Sequence, residues 1–231
     1  MAKTIVEVKK EGNFDKGVGY VPPLDMINNF SATRGSDQLE SRNLVKKDVV
    51  LSLKDPKISK IGVYGISGVG KTTLVKEVAK QVKDDKLFVA VVMVTISQTN
   101  LERTQDEIAA QLGLHLEGMT SSSERANSLC ERIKKEKTIL IILDDLWEKI
   151  DLEKLGIPSL DTHGKVDSEK MGVPPKDDYE GCKLLLTSRS QDILQKNDAQ
   201  KNFPLQVLNG EESWKLFEVM VGEVKVLSSK P

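Results

Sequence analysis

The sequence predicts an α/β fold, a three-layer sandwich in which helices cover both faces of a mostly parallel five-stranded sheet. Three observations carry that expectation. Short apolar stretches recur at 58–64, 87–96, 138–143 and 182–187, and those at 87–96 and 138–143 are nearly continuously apolar, as in strands buried within a parallel sheet. Between them, apolar residues return at helical spacing, and the alternation of the two kinds of segment suits parallel strands joined by crossover helices. The 231 residues suffice for one sizeable core and a fragment of a second unit.

Residues 1–34 read as an irregular linker, with Gly17-Val18-Gly19 and Pro22-Pro23 as turns. From Ser36, residues Leu39, Leu44, Val45, Val49 and Leu53 recur at helical spacing. That helix should close at Asp55-Pro56, because the residue before a proline is driven out of the helical region. The strand at 58–64 leads through a glycine-rich turn into a helix from Lys71 to about Lys83, with Leu74, Val75, Val78, Ala79 and Val82 on one face. After the strand at 87–96, a helix over 101–112 stops at Gly113. Another is expected over 121–135, capped by Ser123 or a neighbouring serine and burying Ala126, Leu129, Cys130 and Ile133.

The run TILIIL, 138–143, is expected to end as a strand at Asp144-Asp145. Residues 159–180 are polar and read as a surface loop. A strand at 182–187, a short helix at 190–196, an edge strand at 203–208 and a helix at 211–221 carrying Trp214 and Phe217 complete the pattern.

Composition excludes several classes. Lys plus Arg number 34 against 35 Asp plus Glu, a net charge of −1, so no basic surface for nucleic acid is expected. The two cysteines, Cys130 and Cys182, and the two histidines, His115 and His163, have no metal-ligand spacing, which disfavours a zinc site or a disulfide scaffold. Residues 1–10 lack the long apolar stretch of a signal peptide and no run approaches spanning length, so a cytoplasmic location and no transmembrane segment are expected.

The sharpest motif is Gly65-Ile66-Ser67-Gly68-Val69-Gly70-Lys71-Thr72, the full G-x-x-x-x-G-K-[ST] pattern between an expected strand and an expected helix. Gly65, Gly68 and Gly70 let the main chain turn and present N–H groups, with that of Val69, to phosphate oxygens at a helix start. Lys71 would bring a mobile positive charge to the β and γ phosphates, and the Thr72 hydroxyl would join the oxygen shell of Mg²⁺. Asp144, after the apolar run, suits the same cation, with Asp145 beside the attacking water. The fold is then a P-loop NTPase. A whole strand and two helices separate the motifs, so an extra strand should lie between them in the sheet, giving the order 2-3-4-1-5. Arg189 ends the next strand, where it could reach the γ phosphate or simply face solvent. Trp147 reads as a packing residue beneath the sheet edge.

Five blocks in order resemble the nucleotide-binding (NB-ARC) domain of plant NB-LRR disease-resistance proteins of the coiled-coil class. They are GISGVGKTTL at 65–74, FVAVVMVTISQ at 88–98, ILIILDDLWEKIDLEKLGIP at 139–158, GCKLLLTSRSQDIL at 181–194 and FPLQVLNGEESWKLF at 203–217. The resemblance implies a defence switch that is closed with ADP, open and self-associating with ATP, and reset by hydrolysis. It implies Gly68, Gly70, Lys71, Thr72 and Thr73 as phosphate-loop residues, Asp144 and Asp145 as the metal and hydrolysis pair, and Arg189 as phosphate sensor. It places the adenine somewhere around 45–58.

By the same resemblance, 35–208 form the nucleotide-binding unit and 209–231 the start of a helical subdomain. No later family segment is matched, which suggests a truncated fragment. The expected function is an ADP/ATP-binding module with slow or no hydrolysis, associating with itself or with NB-LRR relatives. A small P-loop ATPase with real turnover and a non-catalytic interaction or decoy fragment are the alternatives.

Overall fold

The computed structural model describes residues 39–96, 100–158, 160 and 181–221. The linker expected over 1–34 and the tail beyond 221 lie outside these residues. So does the loop expected over 159–180, apart from Leu160, which is buried.

The order of elements is α1 (Glu40–Lys54), β1 (Lys60–Tyr64), α2 (Lys71–Asp84), β2 (Ala90–Thr95), α3 (Leu101–Gln111), α4 (Ser122–Lys134), β3 (Ile139–Leu146), β4 (Cys182–Ser188), α5 (Gln191–Lys196), β5 (Lys201–Pro204) and α6 (Gly210–Val221). The five strands form one sheet ordered β2-β3-β4-β1-β5, the order inferred from the two motifs. Every pairing is parallel. β4 therefore lies between the strand that leads into the phosphate loop and the strand that carries the two acids.

Period-two alternation on the strands divides the interior into two cores. On β3, Ile139, Ile141 and Leu143 pack with Ile108 of α3 and Leu129 and Ile133 of α4. Leu140 and Ile142 turn the other way, onto Val75, Val78 and Val82 of α2 and Val49 and Leu53 of α1. β3 is central and its apolar run is buried throughout, which is why it reads as continuous rather than alternating. Gly62 on β1 allows α5 close to the sheet: a Cβ there would come 2.5 Å from Leu194 Cδ1.

α1 ends where Pro56 requires, with Asp55 extended at φ −76° and ψ 117°. Four details differ from expectation. Ser123 lies inside α4, and Ser121 at its N-cap makes no side-chain cap. Cys130 is only half-buried, because α4 directs Ala126, Leu129 and Ile133 at the core. The edge strand runs Lys201–Pro204 rather than 203–208; Pro204 pairs with Tyr64, its missing N–H would face the open edge, and Leu205 N makes the last bond to β1, to Tyr64 O at 2.7 Å.

β3 also runs past its expected end. It pairs Leu143 with Leu186 and Leu146 with Ser188, so Asp144 and Asp145 together face one residue, Thr187. This is a β-bulge, with Asp145 at φ 59°. The extra residue turns two consecutive acids to different surroundings.

Candidate functional site

The chain leaves β1 at Tyr64, and Gly65 N donates to Ser188 O at 3.3 Å, holding the loop's start against the end of β4. A Cβ on Gly65 would lie 2.5 Å from Leu205 O, so this glycine is needed for space. Gly68 and Gly70 are needed for conformation: their φ values are 76° and 99°, and a Cβ on either would meet nothing within 4 Å. Gly70 is the N-cap of α2 and brings no capping side chain. The first N–H groups of that helix lack intrahelical partners by geometry and carry its positive dipole end, a setting that favours an anion.

Lys71 is buried. Its Nζ donates to Gly65 O at 2.8 Å and Ile66 O at 3.0 Å, so the lysine folds back along the loop and braces it. Burial lowers its pKa below the ordinary lysine value. Asp145 opposes that shift most, Arg189 adds to it, and Asp144 opposes it less. The lysine thus shares one electrostatic neighbourhood with the three charged groups singled out on β3 and after β4.

Thr72 and Asp144 meet: Thr72 Oγ1 donates to Asp144 Oδ2 at 2.7 Å. The second carboxylate oxygen, Oδ1, accepts from Thr187 Oγ1 at 2.6 Å. Asp144 is buried, so two hydroxyls replace the water it has lost. Thr72 and Asp144 are hard oxygen donors, side by side at the mouth of the phosphate loop, and fit Mg²⁺, which keeps waters and phosphate oxygens among its ligands. Among the described residues no cluster of three or more His, Cys, Asp or Glu could hold a metal ion by itself.

Asp145 takes a different direction. Its N–H donates to Thr187 Oγ1 at 2.8 Å, while its carboxylate leaves the Thr72 side. Oδ2 accepts from Trp147 Nε1 at 3.1 Å, and Oδ1 lies 3.7 Å from Arg189 Nε. The Arg189 guanidinium sits 3.9 Å from the centroid of the Trp147 ring. Trp147 is therefore a half-exposed platform for a cation, correcting the expectation that it packs beneath the sheet. The structure brings Lys71, Thr72, Asp144, Asp145 and Arg189 to one end of the sheet.

Beside the loop lies a cavity of about 500 Å³. Its wall includes Gly68, Val69, Gly70 and Thr73 of the loop and helix start, Glu77 one turn on, and Leu216 of α6. From the chain before β1 it takes Leu39 and Arg42, not residues of 45–58. Arg42 is buried and donates through Nη2 to Val69 O at 3.1 Å and Gln206 O at 2.6 Å, tying the loop to the chain after β5. Burial lowers its pKa and Glu212 opposes that shift. Glu212, also buried, accepts from Ser41 N and Ser41 Oγ at 2.9 Å each, which fastens α6 onto α1. Glu77 Oε1 is buried and has no hydrogen-bond partner.

The model of the NB-ARC domain family matches residues 42–167 and 161–227. The chain belongs to the NB-ARC domain family. Relatives in Arabidopsis thaliana include a putative disease resistance protein that is 30% identical over 236 residues, 99% of this chain and 58% of the relative. A probable disease resistance protein is 36% identical over 180 residues, 74% of this chain and 17% of the relative. Disease resistance protein RPS5 is 31% identical over 176 residues, 74% of this chain and 18% of the relative. The chain thus spans less than two thirds of the length of each. Among solved structures, Cdc6p from Pyrobaculum aerophilum is 15% identical with a TM-score of 0.52, covering 85% of this chain and 53% of that one. The Aeropyrum pernix Orc1 protein, solved in complex with DNA, is 14% identical with a TM-score of 0.53, covering 83% of this chain and 50% of that one. Those two likenesses concern the fold.

Four residues of this NB-ARC chain escaped the sequence reading as parts of the site. Arg42 carried a signal, since it lies three residues from both Leu39 and Val45, a charge set on the apolar stripe of a helix. Thr187 ends a strand and looks like any polar terminus; only the bulge opposite shows why it is a threonine. Ser41 and Glu212 are 171 residues apart, and no local pattern joins them.

Proposed function

We propose that this chain is the nucleotide-binding switch module of a plant immune receptor, holding ADP or ATP on the loop from Gly65 to Thr73 with its base in the cavity beside Leu39 and Arg42. The observation that carries the reading is the meeting of Thr72 Oγ1 and Asp144 Oδ2 at 2.7 Å, beside a loop that Lys71 braces from within. Main-chain N–H groups of Gly68, Val69 and Gly70 and the first turn of α2 bind the phosphates, and Lys71 neutralises them. Thr72 and Asp144 would hold Mg²⁺, which would supply positive charge to the phosphate oxygens.

Asp145 positions the attacking water and Arg189 senses the γ phosphate. Both are engaged with each other and with Trp147, which supports slow hydrolysis or none in this chain. The unit over 35–208 carries the nucleotide, and the segment from 209 begins a helical subdomain that closes the cavity through Leu216. On α6, Trp214, Phe217 and Met220 are exposed, which supports association with a second copy or with an NB-LRR relative. Among the described residues no helix is long and apolar enough to cross a membrane, and a cytoplasmic place of action suits the reading.

The test is a titration of the 231-residue protein with labelled ADP and Mg²⁺. Lys71→Ala removes charge-assisted contacts worth roughly 1.5–3 kcal/mol, so affinity should fall about ten- to a hundredfold. Absence of saturable binding, or equal binding by the variant, overturns the proposal.

A further inference from the structure

Trp147, Asp145 and Arg189 form a closed ring of contacts that the phosphate reading does not require. The indole N–H donates to Asp145 Oδ2 at 3.1 Å, the indole face carries the Arg189 guanidinium at 3.9 Å, and the guanidinium returns to Asp145 Oδ1 at 3.7 Å. Two backbone features build the ring. The bulge turns Asp145 away from Thr72, and Ser188 Oγ donates to Leu146 O at 2.8 Å, which fixes the ends of β3 and β4 together and sets Arg189 beside Trp147. Trp147 is 44% exposed and lies outside both apolar cores, so burial does not account for its position.

We propose that Trp147 is a positioning residue that parks Arg189 on its ring, so that a triphosphate must draw the guanidinium off while a diphosphate leaves the stack standing. This rests on the nucleotide reading above. Guanidinium pairs strongly and bidentately with phosphate, and the competition decides how far Arg189 favours a third phosphate. The indole thereby weights the site toward the diphosphate, because a ligand shifts such an equilibrium only through a contact that differs between the two states. An exposed cation–π contact is weak, so its removal should raise triphosphate affinity relative to diphosphate by roughly two- to fivefold.

Two measurements on the 231-residue protein separate this proposal from the reading beneath it. The first uses no nucleotide. The chain has two tryptophans, so Trp214→Phe leaves Trp147 as the sole indole, and Arg189→Gln in that background should change its emission and its quenching by acrylamide. Unaltered emission and quenching overturn the proposal whatever the nucleotide does.

The second compares dissociation constants for ADP and for ATP with a methylene between its β and γ phosphorus atoms. Trp147→Leu should move their ratio toward the triphosphate by the factor given, and Trp147→Phe, which keeps an aromatic face, should move it less. In an Arg189→Gln background the Trp147→Leu effect should vanish. A ratio unmoved by Trp147→Leu, or moved equally without Arg189, overturns the proposal while nucleotide binding itself stands. Failure of the wild-type protein to bind either nucleotide overturns both.

Discussion

Replacing Thr187 by valine keeps the shape of the side chain and removes one hydroxyl that does two things. It donates to Asp144 Oδ1 at 2.6 Å and accepts from Asp145 N at 2.8 Å. Thr187 has no exposed surface and Asp144 has 3%, so water does not replace either bond. A hydrogen bond to a charged acceptor contributes roughly 1.5–3 kcal/mol, and a stranded part-buried N–H adds about 1 kcal/mol. That N–H belongs to a residue already held at φ 59°, so Thr187→Val should destabilise the fold by about 3 kcal/mol.

With a urea dependence of roughly 2–3 kcal/mol per molar for a chain of this size, the unfolding midpoint should fall by about 1 M. Thr72→Val is the control: its hydroxyl donates to the other oxygen of Asp144 from an exposed position, so its loss should lower stability by under about 1.5 kcal/mol. Its larger effect should be on binding of Mg²⁺ with nucleotide. Urea titrations followed by far-ultraviolet circular dichroism measure both midpoints. Equal midpoints for Thr187→Val and wild type would refute the claim that Thr187 braces the bulge.

Two further outcomes follow from the clasp around the cavity. The Ser41 backbone N–H, and then its hydroxyl, hold the Glu212 carboxyl below the ordinary value of 4.5, so the clasp stabilises the protein above that pH and is lost as pH falls through the lowered value. The thermal midpoint of Glu212→Gln should therefore trail wild type most at pH 7 and converge with it in acid; a gap that widens in acid would contradict the assignment. Arg42→Met removes the donor shared by Val69 O and Gln206 O, and the loss of roughly 1–3 kcal/mol of loop ordering should weaken ADP binding by about five- to a hundredfold, read by the same titration used for Lys71→Ala.

The element pattern was legible because its signals are local. The run Ile139–Leu143 of β3 is buried and apolar throughout, β2 is apolar up to Val94, β4 carries the apolar triplet Leu184–Leu186, and the apolar residues of α2 lie on the side that meets the sheet. The strand order followed from the two motifs, since a phosphate loop and an acid pair separated by two helices and a strand leave room for an intervening β4. What stayed hidden depends on register and distance along the chain. A bulge is visible only against its partner strand, so Asp144 and Asp145 looked like a matched pair at a strand end. In the structure Asp144 faces Thr72, and Asp145 faces Arg189 and Trp147. The buried posture of Lys71 depends on Gly65 O and Ile66 O, carbonyls whose direction is set by the loop as a whole. The cavity joins α1 to α6, and its fasteners, Ser41 with Glu212 and Arg42 with Gln206, pair positions more than 160 apart.

The central claim is that phosphate is received by the main chain at the start of α2. Amide chemical shifts of the ¹⁵N-labelled protein, followed as Mg²⁺ and ADP are added, test it at the atoms concerned. The account predicts the largest displacements at the amides of Gly68, Val69, Gly70, Lys71 and Thr72, with smaller ones at Asp144. Displacements concentrated at the opposite end of the sheet, around Ala90, Ile139 and Cys182, with the loop amides unmoved, would contradict it.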